Sequence, residues 1–251
     1  ISCASLNRNL HICSLKFYNL MKKVFVVGLI LLIVACSQEK ELGNMVVQGK
    51  IKGIKKGTLY LKKMRDTLII SVDSIRLFGK DTFTLTDNIS SPEMYFLSLD
   101  QNQSILSFFG EEGVISINDQ VEKFGVSPVI EGSSNQKVLE KYKETASKFQ
   151  AKQLDLLAAN MQAQKENDLE TSQSLRKQAE KQNLKKYIYT INFALNNSDS
   201  EAAAFITLTE LVNANVKYLD SINNSLSKEV QQSFYGKKLA EFVATINETE
   251  K

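Results

Sequence analysis

The sequence predicts an α+β chain, with an N-terminal antiparallel β-sandwich or barrel over residues 45–132 followed by an all-helical segment over residues 133–251. Two observations carry this. From Met45 to Gly132 apolar residues recur with period two and the breaks are glycine, asparagine and aspartate, the pattern of half-buried strands joined by turns. From Ser133 onward the period lengthens to about 3.5 to 3.6, the spacing of helices that bury one stripe, and no proline follows Pro128 to interrupt them.

Residues 1–20 precede Met21, a credible initiator, and contain no carboxylate, so they are read as upstream residues that are not translated. Residues 21–35 read as a secretory signal. Lys22 and Lys23 form a short positive region, Val24 to Ala35 is an apolar run of twelve residues, and the run ends on a small residue before Cys36. Twelve residues fall short of the roughly 20 needed to span a bilayer. Ile33-Val34-Ala35-Cys36 resembles the bacterial lipobox, which implies cleavage between Ala35 and Cys36 and lipid attachment at the Cys36 thiol. The alternative is an ordinary cleaved signal with a chance cysteine. Two or three acyl chains hold a protein on a membrane far more firmly than one, since each buried methylene contributes about 0.8 kcal/mol. Ser37 to Asn44 is polar and reads as a tether, at most about 28 Å long. Serine after the cysteine resembles the sorting pattern of outer-membrane lipoproteins, so the expected location is the cell envelope.

Removing residues 1–35 takes away Arg8, Lys16, Lys22 and Lys23, leaving 27 of the 31 basic residues against all 28 acidic ones. The basic excess disappears, and with it the compositional support for nucleic-acid binding. The same cut removes Cys3, Cys13 and His11, so the remainder has no histidine and a single cysteine, Cys36. Thiolate and histidine catalysis, an internal disulfide and a Cys/His zinc site are all excluded for that remainder. No cofactor is expected, and the 216 residues left are enough to bury a sizeable core without disulfides.

Eight short strands are expected, spaced about ten residues apart. VVQGKIK and TLYLKK flank a turn from Gly53 to Gly57, and Leu68, Ile70 and Val72 are expected on the core face of the following strand. Phe83 and Leu85 continue the pattern. Met94 to Leu99 is apolar on both faces and suits a central strand. SILSFF and VISIN flank a turn at Gly110-Glu111-Glu112-Gly113.

Ser133-Ser134-Asn135-Gln136 offers a capping box for the first helix, whose stripe runs through Leu139, Tyr142, Ala146, Phe149, Leu156 and Asn160. A break at Asn167-Asp168 lets a second helix, through Leu175, Ala179, Tyr187, Ile188, Ile191 and Leu195, pair antiparallel with it. Asn196 to Ser200 precedes a third helix through Phe205, Leu208 and Leu211, and a last one carries Val230, Phe234, Leu239, Phe242 and Ile246.

VVQGKIKG with GTLYLKK, VDSIRLFGKDTFTL, FFGEEGVISI and VIEGSSNQKVLEKY resemble, in that order, four stretches of the Bacteroidota lipoproteins that carry a DUF4369 domain ahead of a thioredoxin-like domain of the thiol:disulfide interchange type. FALNNSDSEAAAFITLTELV and SFYGKKLAEFV are similar to the helices before that thioredoxin-like domain. The resemblance covers Met45 to about Ile246, and implies a thioredoxin fold with Cys-x-x-Cys next, whereas the sequence in hand ends at Lys251. Without that dithiol, the redox activity transfers to no residue here.

Several patterns suggest chemistry and have simpler readings. Lys50, Lys52, Lys55, Lys56, Lys62, Lys63 and Arg65 form a run with no carboxylate, which suits a glycan or lipid-headgroup patch or, more simply, charged strand edges. Ser134-x-x-Lys137 and Ser225-x-x-Lys228 have the spacing of a serine nucleophile supported by lysine, but the companion motifs are missing and both read as helix starts. Glu111 and Glu112 are adjacent, hence on opposite faces of an extended chain, and read as turn residues rather than a carboxylate pair. Thr67, Ser74 and Ser221, each after an aspartate and before an aliphatic residue, resemble the Bacteroidota O-glycosylation site.

The resulting expectation is a non-enzymatic, lipid-anchored envelope protein acting as a binding or scaffold module. One alternative is the front part of a thiol:disulfide interchange lipoprotein, and another is a glycan-binding accessory protein. Expected partners are the membrane through its anchor and a protein, either thioredoxin-like, another envelope protein or a second copy, with no nucleic acid. The two halves should pack together, leaving an apolar patch on Phe149 to Leu157, Tyr187 to Leu195 and Phe234 to Ile246.

Overall fold

The chain was described from a computed structural model, in which residues 43–100 and 104–249 are placed. These residues form one compact unit. Its first half is eight strands: β1 (Met45–Lys52), β2 (Lys56–Arg65), β3 (Leu68–Phe78), β4 (Thr82–Asp87), β5 (Glu93–Leu99), β6 (Ile105–Gly110), β7 (Gly113–Gln120) and β8 (Val129–Glu131). Six helices follow: α1 (Ser134–Lys165), α2 (Leu169–Asn196), α3 (Glu201–Glu210), α4 (Val216–Ser225), α5 (Lys228–Gln232) and α6 (Phe234–Thr249). The α+β class and the change of period at Ser133 are as expected. No helix among the described residues is long and apolar enough to cross a membrane.

The strands form two four-stranded sheets, ordered β4-β1-β7-β8 and β3-β2-β5-β6. Alternation along each strand sends one set of side chains between the sheets. Val47, Leu85, Ile115 and Ile117 come from the first sheet, and Leu59, Leu61, Tyr95, Leu97 and Phe108 from the second. One pairing departs from the expected antiparallel pattern, since β1 and β7 run parallel from Met45↔Gly113 to Lys52↔Gln120. Gly49 sits in that pairing because there is no room for more, as a Cβ there would lie 1.8 Å from the Ile117 carbonyl oxygen.

The expectation for β3 needs correcting. Leu61 pairs with Asp73 but Lys62 pairs with Ser71, so Val72 is an extra residue in a bulge. Val72 is half-buried against the core, but beyond the bulge the β2–β3 hairpin projects past it, and Leu68 and Ile70 are exposed instead of buried.

The first helix starts as expected, with the Ser133 side chain accepting from the backbone N–H of Gln136. The reciprocal half of the capping box is absent, because Gln136 Oε1 accepts instead from the buried N–H of Phe109 on β6, at 2.9 Å. α1 is 32 residues, about 48 Å long. It turns at Asn167, which adopts a left-handed φ of 57°, and α2 packs back along it. Helix α4 was not expected, and α5 is separate from the last helix, which was expected to run on from Val230; together they correct one reading. Ser225 ends α4, donating its hydroxyl to the Ile222 carbonyl, and the cap of α5 is Ser227. Ser134 does stand at a helix start, as the first helical residue after the cap Ser133.

The two halves pack together through the outer face of the second sheet. Phe109 is fully buried there, edge-on to Phe205 and Tyr235. Met94, Leu139, Tyr142, Phe193, Ala202 and Ile206 complete that cluster. Burying a side chain of this size contributes roughly 1.5–3 kcal/mol, so the interface is a core in its own right. A third cluster lies among α2 to α6, where Leu219, Ile222, Val230, Leu239 and Val243 are buried. The α6 stripe is therefore internal, contrary to expectation. On the α1–α2 hairpin Leu154, Leu157 and Ile188 are exposed within the expected ranges, and Met161, Leu169 and Leu184 are exposed beyond them.

Candidate functional site

Because the helices cover only part of the second sheet's outer face, a cleft opens where the cover stops. The register shows how the floor is laid. Ser71, Lys62, Phe96 and Ser107 stand in one cross-strand row, and in the next row Ile69 pairs with Met64 and Met94 pairs with Phe109. Along this second row exposure rises from 0% at Phe109 and 8% at Met94 to 47% at Met64 and 51% at Ile69. An apolar surface that begins in the core thus runs out into solvent.

The cleft on this floor has a volume of about 610 Å³, within the range of roughly 300–1,000 Å³ usual for small-ligand sites. Met64, Met94 and Phe96 form its base, and Leu139 and Tyr142 of α1, Phe205 and Leu208 of α3, and Phe234 and Tyr235 of α6 form its walls. The tyrosine hydroxyls are engaged. Tyr235 Oη accepts from the Met94 N–H at 3.1 Å, and Tyr142 Oη lies 3.0 Å from Thr190 Oγ1. Burial pushes each of these phenols up to about 12.

Five charged residues border the cleft: Asp66, Glu93, Lys143, Glu210 and Lys238. Arg65 grips the Glu93 carboxylate with two hydrogen bonds of 2.6 and 2.9 Å, and Lys63 lies 3.7 Å from it. Glu210 accepts from Lys186 at 2.8 Å. Lys238 lies over the Phe234 ring at 5.1 Å. Lys143 is exposed as a residue, yet desolvation lowers its pKa below the ordinary lysine value, with Glu140 pulling the other way.

Behind the floor, Lys63 is only 5% exposed and is paired with Asp87 of the other sheet. The basic run from Lys50 to Arg65 is therefore not free along its whole length. Lys50 pairs with Asp81, Lys63 with Asp87 and Arg65 with Glu93, all carboxylates remote in sequence. Three of its seven cations thus find carboxylates that the fold supplies.

A second, polar cleft of about 490 Å³ lies where α1 and α3 begin. Glu111, read from sequence as a turn residue, accepts from Ser134 N at 2.6 Å, Asn135 N at 3.2 Å and Asn135 Nδ2 at 3.0 Å. Asn135 also donates to Glu201 and accepts from Ser200 Oγ and Ala202 N. This network ties the β6–β7 turn to two helix starts, where a carboxylate complements the unpaired amides. Sequence reading took Asn135 only as part of the capping stretch, and its place in the first turn after the cap Ser133 was the available signal. Among the described residues no group of three or more His, Cys, Asp or Glu is arranged to hold a metal ion.

Of the other sequence-derived candidates, Ala35 and Cys36 lie outside the described residues. Thr67 is exposed at the β2–β3 turn, Ser74 is exposed on β3, and Ser221 is exposed on α4 with its hydroxyl donating to the Lys217 carbonyl. The structure brings none of these three together.

Sandwich, helical cover and cleft define the chain as a two-sheet β module whose helical half is built onto one of its outer faces. Residues 45–139 match the family model described as "Domain of unknown function (DUF4369)", so the β module and the start of α1 are a DUF4369 domain. The match ends at Leu139, a residue of the cleft wall. Neither the curated proteins nor the solved structures contain a match to the chain.

Proposed function

We propose that this protein is a lipid-anchored component of the cell envelope, held by Cys36, that works as a non-catalytic binding module through the cleft between β2, β5 and helices α1, α3 and α6. The observation that carries the reading is the floor itself, an apolar row that leaves the core at Met94 and is only half-covered at Met64. Monomeric proteins rarely leave such surface open without a use for it. The lining holds phenols, methionines and paired carboxylates but no thiol or imidazole, which suits holding a ligand better than transforming it. The lipobox-like segment before the tether supports the anchor.

The test uses the chain from Ser37 onward, which contains the whole compact unit. Leu208→Trp adds bulk at the cleft wall. It should abolish saturable binding of an apolar fluorescent probe while thermal unfolding of the variant stays close to that of the parent. Unchanged probe binding would locate the apolar site elsewhere and remove the reading.

A further inference from the structure

The charge around the cleft is unevenly satisfied, and this points to a ligand class. Glu93 is neutralised by Arg65 and Lys63, and Glu210 by Lys186. Lys143 and Lys238, on two different helices, have no carboxylate within 4 Å among the described residues, since Lys143 has only the longer-range pull of Glu140 and Lys238 has only the Phe234 ring. The one remaining acid of the lining, Asp66, belongs to the β2–β3 turn and not to the helical walls. The helical side of an otherwise apolar cleft thus carries two uncompensated ammonium groups. Desolvation already disfavours the charge on Lys143, and an anion placed beside it would relieve that penalty.

We propose that the cleft binds a single-chain anionic amphiphile, a long-chain carboxylate, with its alkyl body on Met64, Met94 and Phe96 and its head at Lys143 and Lys238. This rests on the reading of the cleft as the binding site and adds the chemistry of the occupant. The apolar walls supply most of the affinity by area, and they do not distinguish one head group from another. The two lysines supply the discrimination, because a charge-assisted hydrogen bond in a partly dry site is stronger than one in water. A neutral head of the same chain length forgoes that bond. A cationic head meets two like charges.

Calorimetric titration of the chain from Ser37 onward with decanoate, decanol and decyltrimethylammonium separates the two ideas. Decanoate should bind about tenfold more tightly than decanol, with the ammonium compound weakest. Lys143→Met with Lys238→Met keeps the stems and should bring decanoate down to the level of decanol, and Lys143→Glu should push it below. Equal binding of decanoate and decanol by the parent, lost together in Leu208→Trp, would overturn the head-group assignment and leave the cleft as the site. Failure of all three to bind would take the cleft reading down with it.

Discussion

The Tyr95 hydroxyl on β5 donates to Oδ2 of Asp87 at the end of β4, across 2.7 Å, and this bond joins the two sheets at the end of the sandwich where the cleft begins. The same carboxylate oxygen receives Lys63, whose Nζ also lies 3.2 Å from the Tyr95 oxygen. Burial and the neighbouring Asp87 hold the Tyr95 phenol far above its ordinary pKa, so the phenol keeps its proton for this bond. Replacing Asp87 with alanine leaves Lys63, in an almost dry site, paired only with Glu93 at the longer distance of 3.7 Å, so the cost should approach the roughly 3–5 kcal/mol of breaking a buried pair from one side. Tyr95→Phe removes one bond and leaves the ion pair, so its cost should be nearer 1.5–3 kcal/mol, roughly the value of a hydrogen bond to a charged group. Urea unfolding of the two variants checks this order.

Alkaline pH should destabilise the fold in a defined window. Tyr142 and Tyr235 are raised by burial to about 12 from the ordinary 10. Their contribution is complete below about pH 10, where the phenols are protonated in both states. Between pH 10 and 12 the unfolded chain ionises while the folded one resists, so stability falls as pH rises, by on the order of a few kcal/mol for the pair. Unfolding midpoints measured from pH 8 to 12 should show this decline, and Tyr142→Phe with Tyr235→Phe should flatten it. An unchanged slope in the double variant would contradict the assignment.

Gln136 should matter more than an ordinary residue of a helix's first turn. Its Oε1 is the acceptor for the Phe109 N–H inside the interface between sheet and helices. Gln136→Ala leaves that amide unpaired and should cost about 1–3 kcal/mol. Gln136→Glu keeps an acceptor there and should lose less, which thermal unfolding of the two variants can compare.

How much of this was visible in the sequence follows from how local each feature is. The boundary at Ser133 and the helical hairpin broken at Asn167 depend on neighbours three or four residues away, and both are where the pattern places them. Met94 to Leu99 reads as a central strand because both its faces are covered, one by the other sheet and one by the helices. The parallel β1–β7 pair joins residues 68 positions apart, from Met45 to Gly113, and period-two alternation carries no sign of strand direction. Leu68 and Ile70 do pair on the core-side face, opposite Arg65 and Lys63, but they lie on the part of the β2–β3 hairpin that runs past the core, and alternation carries no sign of where a sheet outgrows its cover. The cleft was illegible for a different reason. Phe96, Leu139, Leu208 and Tyr235 each look like core residues in their own element, and only the incomplete overlap of helices and sheet turns them into a wall. Likewise Lys50, Lys63 and Arg65 of the basic run looked free because their partners Asp81, Asp87 and Glu93 lie well beyond it in the chain.

The most direct test of the central claim, that this cleft is where the protein binds, uses its methionines. The chain from Ser37 onward contains Met45, Met64, Met94 and Met161. Met64 and Met94 line the cleft, Met45 is buried between the sheets, and Met161 is exposed on the α1–α2 hairpin. With methyl-labelled methionine, NMR titration against decanol, whose neutral head keeps the readout independent of the lysines, should shift the Met64 and Met94 methyl signals and leave those of Met45 and Met161 in place. A shift of Met161 with Met64 and Met94 unmoved would contradict the account and assign the binding surface to the helical hairpin.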